Sequence, residues 1–205
     1  MKIANTNAQI INEINKIISS TNIPKVVLVG GCSRSGKSTF VREIEKEVNN
    51  AGVLTEALSL DNWLISIENR KRSSTVIERY EISRIVQSIK KILNRETIFP
   101  PVYNPELRRR TSNSGNIPKY IDYGILFIEG TIALGIEQLR NMSDYSIYVD
   151  IPDNIRIERL MDFYTNTKKV DLEKSKKIIL ERENEEVLFI KNTMQYANLV
   201  YNKYY

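Results

Sequence analysis

The sequence predicts a three-layer α/β fold, in which a parallel sheet of about five strands is covered by helices on both faces. Short β-branched runs alternate along the chain with amphipathic helical segments. The runs are continuously apolar, as in strands that are buried on both faces. The chain has 205 residues, of which 41% are hydrophobic and 27% charged, which suits one ordered domain with one core.

The first half of the chain alternates helices and strands. Isoleucines at helical spacing over residues 8–19 predict an amphipathic N-terminal helix. Lys25–Val29 and Val53–Leu60 are short apolar runs typical of buried strands, and the apolar face of Lys37–Asn49 predicts a helix between them. Six apolar residues at helical spacing predict a second amphipathic helix over residues 75–94.

The second half opens on Glu96–Ser114, which is irregular and contains three prolines. A long irregular insert in a compact domain is more often functional than idle. The remaining elements follow the same alternation. They are a strand at Gly124–Ile128, a helix near Ile132–Arg140, a strand at Tyr145–Asp150, a helix over Asn154–Phe163, a long charged helix over Asp171–Asn192 and a last strand at Ala197–Tyr201.

A complete phosphate-binding motif, G-x-x-x-x-G-K-[ST], lies at Gly31–Ser38 between the first buried strand and its helix. Glycines let backbone N–H groups turn toward phosphate oxygens, and the helix N-terminus adds partial positive charge. Lys37 is expected to reach the β- and γ-phosphates, and the Ser38 hydroxyl to coordinate Mg²⁺. The predicted nucleotide contacts are Gly31, Cys32, Ser33, Arg34, Ser35, Gly36, Lys37, Ser38 and Thr39.

Three carboxylates follow predicted strands, and the carboxyl ends of parallel strands share the rim where ligands bind. Glu129 is expected to hold Mg²⁺, with stabilisation of a helix that starts at Thr131 as the alternative. Asp61 is a candidate base for an attacking hydroxyl, or a helix cap. Asp150 is expected to cap the helix that follows it.

Composition narrows the function classes. The chain has no histidine, which excludes histidine-based acid–base catalysis and metal ligation by its own residues. Its one cysteine, Cys32, excludes an internal disulfide and is expected to be a small filler, with redox sensing as the alternative. A net charge of +5 suits a nucleotide, and nucleic acid less because Arg70–Arg72 and Arg108–Arg110 form no extended basic stripe. No apolar run is long enough for a membrane helix or a signal peptide, so a cytoplasmic protein is expected.

The motifs also separate the nucleotide-binding classes. No aspartate is followed three residues later by glycine, which the D-x-x-G motif of a signalling GTPase requires. The chain resembles the uridine kinase and phosphoribulokinase family of P-loop kinases, which includes pantothenate and nicotinamide riboside kinases. The resemblance runs from about Lys25 to Tyr201. It is carried by Gly30–Thr39, Asp61-Asn62-Trp63-Leu64 (the family's D-x-F-Y), Tyr103–Arg110 (Y-D-[YF]-x-x-H-x-R), Ile125–Gly130, Tyr148-Val149-Asp150 through Arg159, and Tyr196–Val200 (Y-A-D-x-[IV]).

The resemblance implies roles for residues that spacing alone does not assign. It implies that Asp61 is the catalytic aspartate, and that Tyr103 and Arg110 lie on the substrate side. It also implies that Arg156 and Arg159 approach the phosphates or the acceptor, with a solvated helix face as the alternative. Trp63 is expected to line the acceptor pocket or else to lie in the core.

The sequence departs from the family pattern in three places. Arg108 replaces the base-reading histidine, Leu64 replaces a tyrosine, and Phe163-Tyr164 replaces the arginine–aspartate pair of the lid. Lys168 and Lys169 are candidates for the missing positive charge. Arg108 and its neighbours suit an acidic acceptor better than uridine.

These patterns predict one P-loop kinase domain over residues 1–205. It comprises an N-terminal helix within 1–22, an acceptor-binding insert at 62–120 and a lid at 153–171. The expected reaction is transfer of the γ-phosphoryl group of ATP, with Mg²⁺, to a hydroxyl of a nucleoside or related metabolite. A nucleotide-binding regulator with little or no activity is the alternative, and a nicotinamide riboside or pantothenate kinase is the alternative within the class. No nucleic acid or membrane partner is expected, and a homo-oligomer is left open.

Overall fold

A computed structural model describes residues 2–18, 23–71, 73–111 and 116–204. Arg72, Ser114 and residue 19 of the predicted first helix lie outside these ranges. The main sheet has six strands, all parallel, in the order β1-β8-β7-β2-β6-β3. The strands of the chain are β1 (Lys2–Ala4), β2 (Lys25–Gly30), β3 (Thr55–Ser59), β4 (Tyr103–Asn104), β5 (Arg109–Arg110), β6 (Ile125–Glu129), β7 (Tyr145–Val149) and β8 (Leu199–Tyr201).

The predicted fold class is confirmed, with one strand more than the sequence indicated. The additional strand is β1, which is three residues long and pairs with β8 at the edge of the sheet. A segment this short shows no alternation of its own, so only the partner strand reveals it. The small strands β4 and β5 form a separate antiparallel hairpin.

Seven α-helices are assigned within the described residues, namely α1 (Asn7–Ile18), α2 (Lys37–Asn50), α3 (Ile82–Leu93), α4 (Glu137–Met142), α5 (Asp153–Asp162), α6 (Leu172–Arg182) and α7 (Leu188–Asn192). No helix formed by the described residues combines the length and apolarity needed to cross a lipid bilayer.

Three of the predicted helices need correction. The helix predicted over 75–94 begins only at Ile82, because Ile77–Arg79 forms a separate 3₁₀ turn. The helix predicted near Ile132–Arg140 is a 3₁₀ turn followed by the short α4. The long helix predicted over Asp171–Asn192 is continuous but passes through a π-helical turn at Glu183–Val187, between α6 and α7.

Side chains of the central strands alternate between two cores, one on each face of the sheet. Val27 and Val29 point toward α1 and α2 and pack with Ile14 and Ile44. Val26 and Leu28 lie on the opposite face, where the core includes residues of α3 and α7. The two cores are the physical basis of the three layers. They also fix the carboxyl ends of β2, β3 and β6 as one rim, where ligands of parallel sheets bind.

Two regions lie outside this frame. A small cluster of Leu160, Tyr164 and Ile179 holds α5 against α6 apart from the main cores. The insert, residues 62–120, is attached to the sheet edge by an ion pair between Lys119 and Glu56 at 2.6 Å and contributes the β4–β5 hairpin. Both regions reach over the rim of the sheet.

Candidate active site

The loop after β2 has the backbone conformation that its sequence predicts. Gly31 has φ +139°, and a Cβ at this position would lie 2.4 Å from the Val149 carbonyl oxygen, so only glycine fits. Gly36 has φ +98° and precedes the first residue of α2. No side chain caps this helix, which leaves its first N–H groups directed toward the cleft.

Lys37 is the first residue of α2 and is almost completely buried, with 7% of its surface exposed. Its Nζ donates a hydrogen bond of 2.9 Å to the Cys32 carbonyl oxygen across the loop. Burial lowers the pKa of Lys37, and the charge of Glu129 opposes that shift. The ammonium group is therefore held at the loop by one backbone oxygen and a nearby carboxylate.

Ser38 and Glu129 meet beside the loop. The Ser38 hydroxyl donates to Glu129 Oε1 at 3.0 Å. Glu129 ends β6 and is 7% exposed, and its burial raises the pKa of its carboxyl while the charge of Lys37 lowers it. The pair presents two hard oxygen donors at the rim, the kind of ligand that Mg²⁺ prefers.

Asp61 lies in the 3₁₀ turn Leu60–Trp63 that follows β3. The Tyr80 hydroxyl donates to Asp61 Oδ1 at 3.2 Å and lies 3.1 Å from the Thr131 hydroxyl oxygen. Burial, followed by the charge of Asp61, raises the pKa of Tyr80 well above its usual value, so the phenol remains a donor. Tyr80 therefore orients the carboxylate from the side of the insert.

These groups line one cleft of about 1620 Å³. Pockets for one small ligand usually measure about 300–1,000 Å³, so this cleft has room for a nucleotide and a second molecule. It has a P-loop wall (residues 33–39 with Asp61 and Glu129), an insert wall (64–108) and a helical wall (155–186). The predicted site residues along it are Ser33–Thr39, Asp61, Tyr103, Arg108, Glu129 and Arg159, joined by Asp150 at the rim.

Comparison with known proteins agrees with this geometry. The family model for the Phosphoribulokinase / Uridine kinase family matches residues 26–204. The chain belongs to this family. It is therefore an ATP-dependent small-molecule kinase with a P-loop fold, as the resemblance implied.

Individual relatives are distant in sequence but cover most of the chain. A uridine kinase of Anoxybacillus flavithermus is 27% identical over 185 residues, which cover 86% of this chain and 85% of the relative. A putative fructose transport system kinase from Silicibacter has a TM-score of 0.78 at 15% identity, over 96% of this chain and 98% of that one. A possible uridine kinase from Bacillus stearothermophilus has a TM-score of 0.63 at 18% identity, over 95% of this chain and 97% of that one. The two structures support the fold.

Trp63, Arg110 and Arg156, which were candidates for contacting the acceptor or the phosphates, do not line the cleft. Trp63 is 1% exposed and belongs to the core beneath the insert, which confirms the alternative interpretation. Arg110 donates to the Trp63 carbonyl oxygen at 2.9 Å and pairs with Glu81 at 2.8 Å, outside the cleft lining. Both residues support the insert wall and do not line it.

Arg156 is also a structural residue and not a cleft residue. It is 2% exposed, pairs with Glu183 and donates a second hydrogen bond to Asp153 Oδ1 at 3.1 Å. The alternative of a solvated helix face is also contradicted for Arg156, because its side chain is buried and pairs with Glu183 of the π-helical turn. Arg159, one turn later, does reach the P-loop, where its Nη1 donates to the Arg34 carbonyl oxygen at 3.3 Å.

The structural interpretations that the sequence offered for Asp150, Glu129 and Cys32 have different outcomes. Asp150 does not cap α5, whose first flanking residue is Pro152, and it instead accepts from Asn202 at 3.4 Å. No α-helix starts at Thr131 to be stabilised by Glu129, because the next one begins at Glu137. Cys32 is 4% exposed, and burial raises the pKa of its thiol, which supports the filler interpretation.

Arg182 and Tyr80 line the cleft but were not singled out from the sequence. The Arg34 guanidinium lies 3.6 Å from the centre of the Phe163 ring, and Arg182 donates to the Tyr164 hydroxyl at 2.9 Å. The first contact connects the P-loop to Phe163, and the second connects α6 to Tyr164. Lys168 lines the cleft, as its predicted compensating role requires, whereas Lys169 does not. Tyr80 could have been found only from its position before an amphipathic helix.

Proposed function

We propose that this kinase transfers the γ-phosphoryl group of ATP to a hydroxyl of a small metabolite, with Asp61 as the group that receives the hydroxyl proton. The observation that carries the proposal is the convergence of Lys37, the Ser38–Glu129 pair and Asp61 in one cleft with room for two ligands. Phosphoryl transfer asks a protein mainly for positioning and for charge stabilisation, and this arrangement offers both.

The triphosphate would lie along the P-loop. The loop N–H groups and the N-terminus of α2 face the oxygens, and Lys37 has only the Cys32 carbonyl oxygen to leave in order to bind them. Arg159 reaches the same loop from the helical wall. Residues Gly31–Thr39 therefore account for the nucleotide contacts, with Cys32 contributing its backbone.

Ser38 and Glu129 fit a magnesium ion, since both offer oxygen donors beside the site of the phosphates. When bound with ATP, the ion would neutralise charge on the phosphate oxygens. Burial raises the pKa of Glu129, and a cation bound beside it would favour the charged carboxylate.

The acceptor would enter from the insert wall, beside Tyr103 and Arg108. Its hydroxyl, within reach of Asp61, would lose its proton to that carboxylate as the oxygen–phosphorus bond forms and the bond to the ADP oxygen breaks. Tyr80 holds Asp61 in place by a hydrogen bond. Residues 153–171 form a lid in this proposal and exclude water, which would otherwise compete with the acceptor.

The relatives named as uridine kinases make a nucleoside the first acceptor to test. Arg108 at the position of the family's base-reading histidine argues for a wider panel, including nicotinamide riboside and pantothenate. The altered lid, Phe163-Tyr164, is the observation that favours the alternative, a regulator that binds ATP with little turnover. The P-loop motif and Asp61, in contrast, match the family pattern.

The test is acceptor-dependent ADP release by the purified full chain with ATP and Mg²⁺. Nucleosides, nicotinamide riboside, pantothenate and sugar acids serve as acceptors. We expect at least one acceptor to raise ADP release far above the rate with water alone, and Lys37→Ala to abolish that increase and weaken ATP binding. Calorimetric ATP binding without acceptor-dependent release from any candidate would support the regulator instead.

A further inference from the structure

Arg108 and Lys168 both line the cleft, and neither forms an ion pair with a residue that the structure describes. Arg108 lies in the loop of the β4–β5 hairpin, and Lys168 lies in the loop between α5 and α6. Two other cations of the same walls have acidic partners: Arg79 binds Glu185 and Glu186, and Arg182 binds Glu186. Arg108 and Lys168 are therefore available to a ligand, one on the insert wall and one on the helical wall.

The two cations act on each other. Burial lowers the pKa of Lys168, and the charge of Arg108 lowers it further, ahead of Arg182 and Arg34. Glu106 opposes the shift but has the weakest of these effects. The Lys168 ammonium also faces the rings of Phe163 and Tyr164, at 5.2 and 5.6 Å, and these rings supply no formal negative charge. Positive charge thus converges at Lys168, and Glu106 offsets only a small part of it.

The backbone supports a functional reason for these cations. Arg108 has φ +55°, a conformation in which glycine or asparagine is commoner. Arg34 and Lys169, also on or beside the cleft rim, have φ +65° and +54°. Strained positions occupied by large side chains are a common feature of ligand sites. The hairpin loop is held in place, because Ile67 donates its N–H to the Arg108 carbonyl oxygen at 2.9 Å.

We propose that the acceptor carries an anionic group, a carboxylate or a phosphate, which Arg108 and Lys168 bind from opposite walls of the cleft. This inference rests on the proposed kinase function. The phosphates of ATP would have the P-loop, Lys37 and Arg159, whereas Arg108 and Tyr103 line the cleft from the insert. An anion between the two cations would offset their repulsion, which a neutral acceptor would leave in place.

Matched acceptor pairs give a direct test. Each pair differs by the charged group: glycerate and glycerol, gluconate and glucose, pantothenate and pantothenyl alcohol, ribose 5-phosphate and ribose. With ATP and Mg²⁺, we expect the productive pair to favour its anionic member by about tenfold or more in kcat/KM, the loss expected when a charged hydrogen bond is missing. Comparing the carboxylate pairs with the phosphate pair distinguishes the two sources of charge.

Variants then assign the effect to the two cations. Arg108→Gln and Lys168→Gln should each raise the KM of the anionic acceptor about tenfold, and leave the KM of ATP within about twofold. Arg108→Lys should retain part of the affinity, because it keeps the charge. Lys203→Gln is the matched control, since Lys203 lines the same cleft beside Asp150 and Tyr204 and lies outside the proposed subsite.

Two results would overturn the inference and leave the kinase proposal standing: a productive pair that prefers its neutral member, or glutamine variants that raise the KM of ATP as much as that of the acceptor. A binding measurement identifies the opposite case, in which the anion subsite exists but the kinase function proposed above is wrong. With saturating ADP and Mg²⁺, the acids should raise the melting temperature of the wild type but not of Arg108→Gln or Lys168→Gln. That shift without acceptor-dependent ADP release would support the anion subsite and contradict the proposed function.

Discussion

The P-loop wall and the insert wall of the cleft are built in different ways. The P-loop wall presents backbone N–H groups, Lys37 and Ser38 at the start of α2, and Glu129 at the end of the buried strand β6. The insert wall consists of short turns and the β4–β5 hairpin, whose strands have two residues each. The positions of these segments depend on side-chain pairs such as Arg110–Glu81. One wall is fixed by the sheet, the other by contacts between residues far apart in sequence.

This difference determines which wall of the cleft can tolerate substitutions. A backbone-built phosphate site tolerates almost no change, as Gly31 shows, because any Cβ would strike Val149. The insert wall can exchange charged side chains while its hairpin and its pairs are preserved. The triphosphate site should therefore be general, and the acceptor site specific, in this kinase.

The largest effect is expected for Asp61→Asn, which should slow phosphoryl transfer without weakening nucleotide binding. Asp61→Asn keeps the shape of the side chain but removes the proposed base, so kcat should fall by about 10²–10⁴-fold, the usual contribution of a positioned base. The dissociation constant of ATP, measured by calorimetry, should change by less than about twofold, because Asp61 follows β3 and not the loop. Normal turnover by Asp61→Asn would show that another group accepts the proton.

A matched pair of core truncations tests whether the helical wall is less stable than the sheet. Ile14→Ala removes a fully buried side chain from the core between α1 and the sheet and should lower the free energy of unfolding by about 2–5 kcal/mol in urea. Ile179→Ala lies in the small cluster with Leu160 and Tyr164. It should cost less globally and accelerate amide exchange mainly in α5 and α6.

Equal losses of global stability, with no local change in exchange, would contradict the distinction between these two regions. The lid role proposed for residues 153–171 would then also lose its physical support, since lids are drawn from the less stable parts of a structure.

A smaller effect is expected at the junction of the two walls. Tyr80→Phe removes only the hydroxyl that donates to Asp61, so kcat should fall about fivefold, the equivalent of one ordinary hydrogen bond. The KM of ATP should not change. Thr131→Val is the control, because it removes the second contact of the Tyr80 hydroxyl and leaves the bond to Asp61. A larger loss for Thr131→Val than for Tyr80→Phe would show that Tyr80 is not the residue that positions Asp61.

The sequence predicted the sheet-built half of the molecule well. From Lys25 to Ser59 and from Ile125 to Val149, the strands and the phosphate loop were predictable because local pattern and buried position agree there. The rim position of Asp61 and Glu129 followed from the topology of parallel strands. β1 was missed because three residues carry no period, and its strand conformation depends on pairing with β8.

The structure of the insert and of the helical wall depends on contacts between residues that are distant in sequence, which no local pattern encodes. Ile77 fits the helical period of α3, but the pairing of Leu64 with Tyr80 turns the chain before that helix begins. Arg110 and Arg156 match family positions by spacing, yet carboxylates distant in sequence hold them outside the cleft. The choice between a ligand and an internal partner is decided by tertiary structure, so spacing could not make it.

The smallest expected effect lies in the part of the chain that precedes the family match, where β1 and α1 pack beside the sheet. Hydrogen bonds from Lys16 and Lys2 lower the pKa of Glu13 to about 2. A carboxyl whose pKa is lower in the folded state stabilises the fold above its ordinary pKa of 4.5, and this stabilisation disappears as the pH falls toward 2. Glu13→Gln should therefore melt at a lower temperature than the wild type at pH 7, and the difference should vanish near pH 2. Because these charges face solvent, added salt should shrink the difference at pH 7, and a difference that persists unchanged at low pH would show that Glu13 acts through packing and not through its charge.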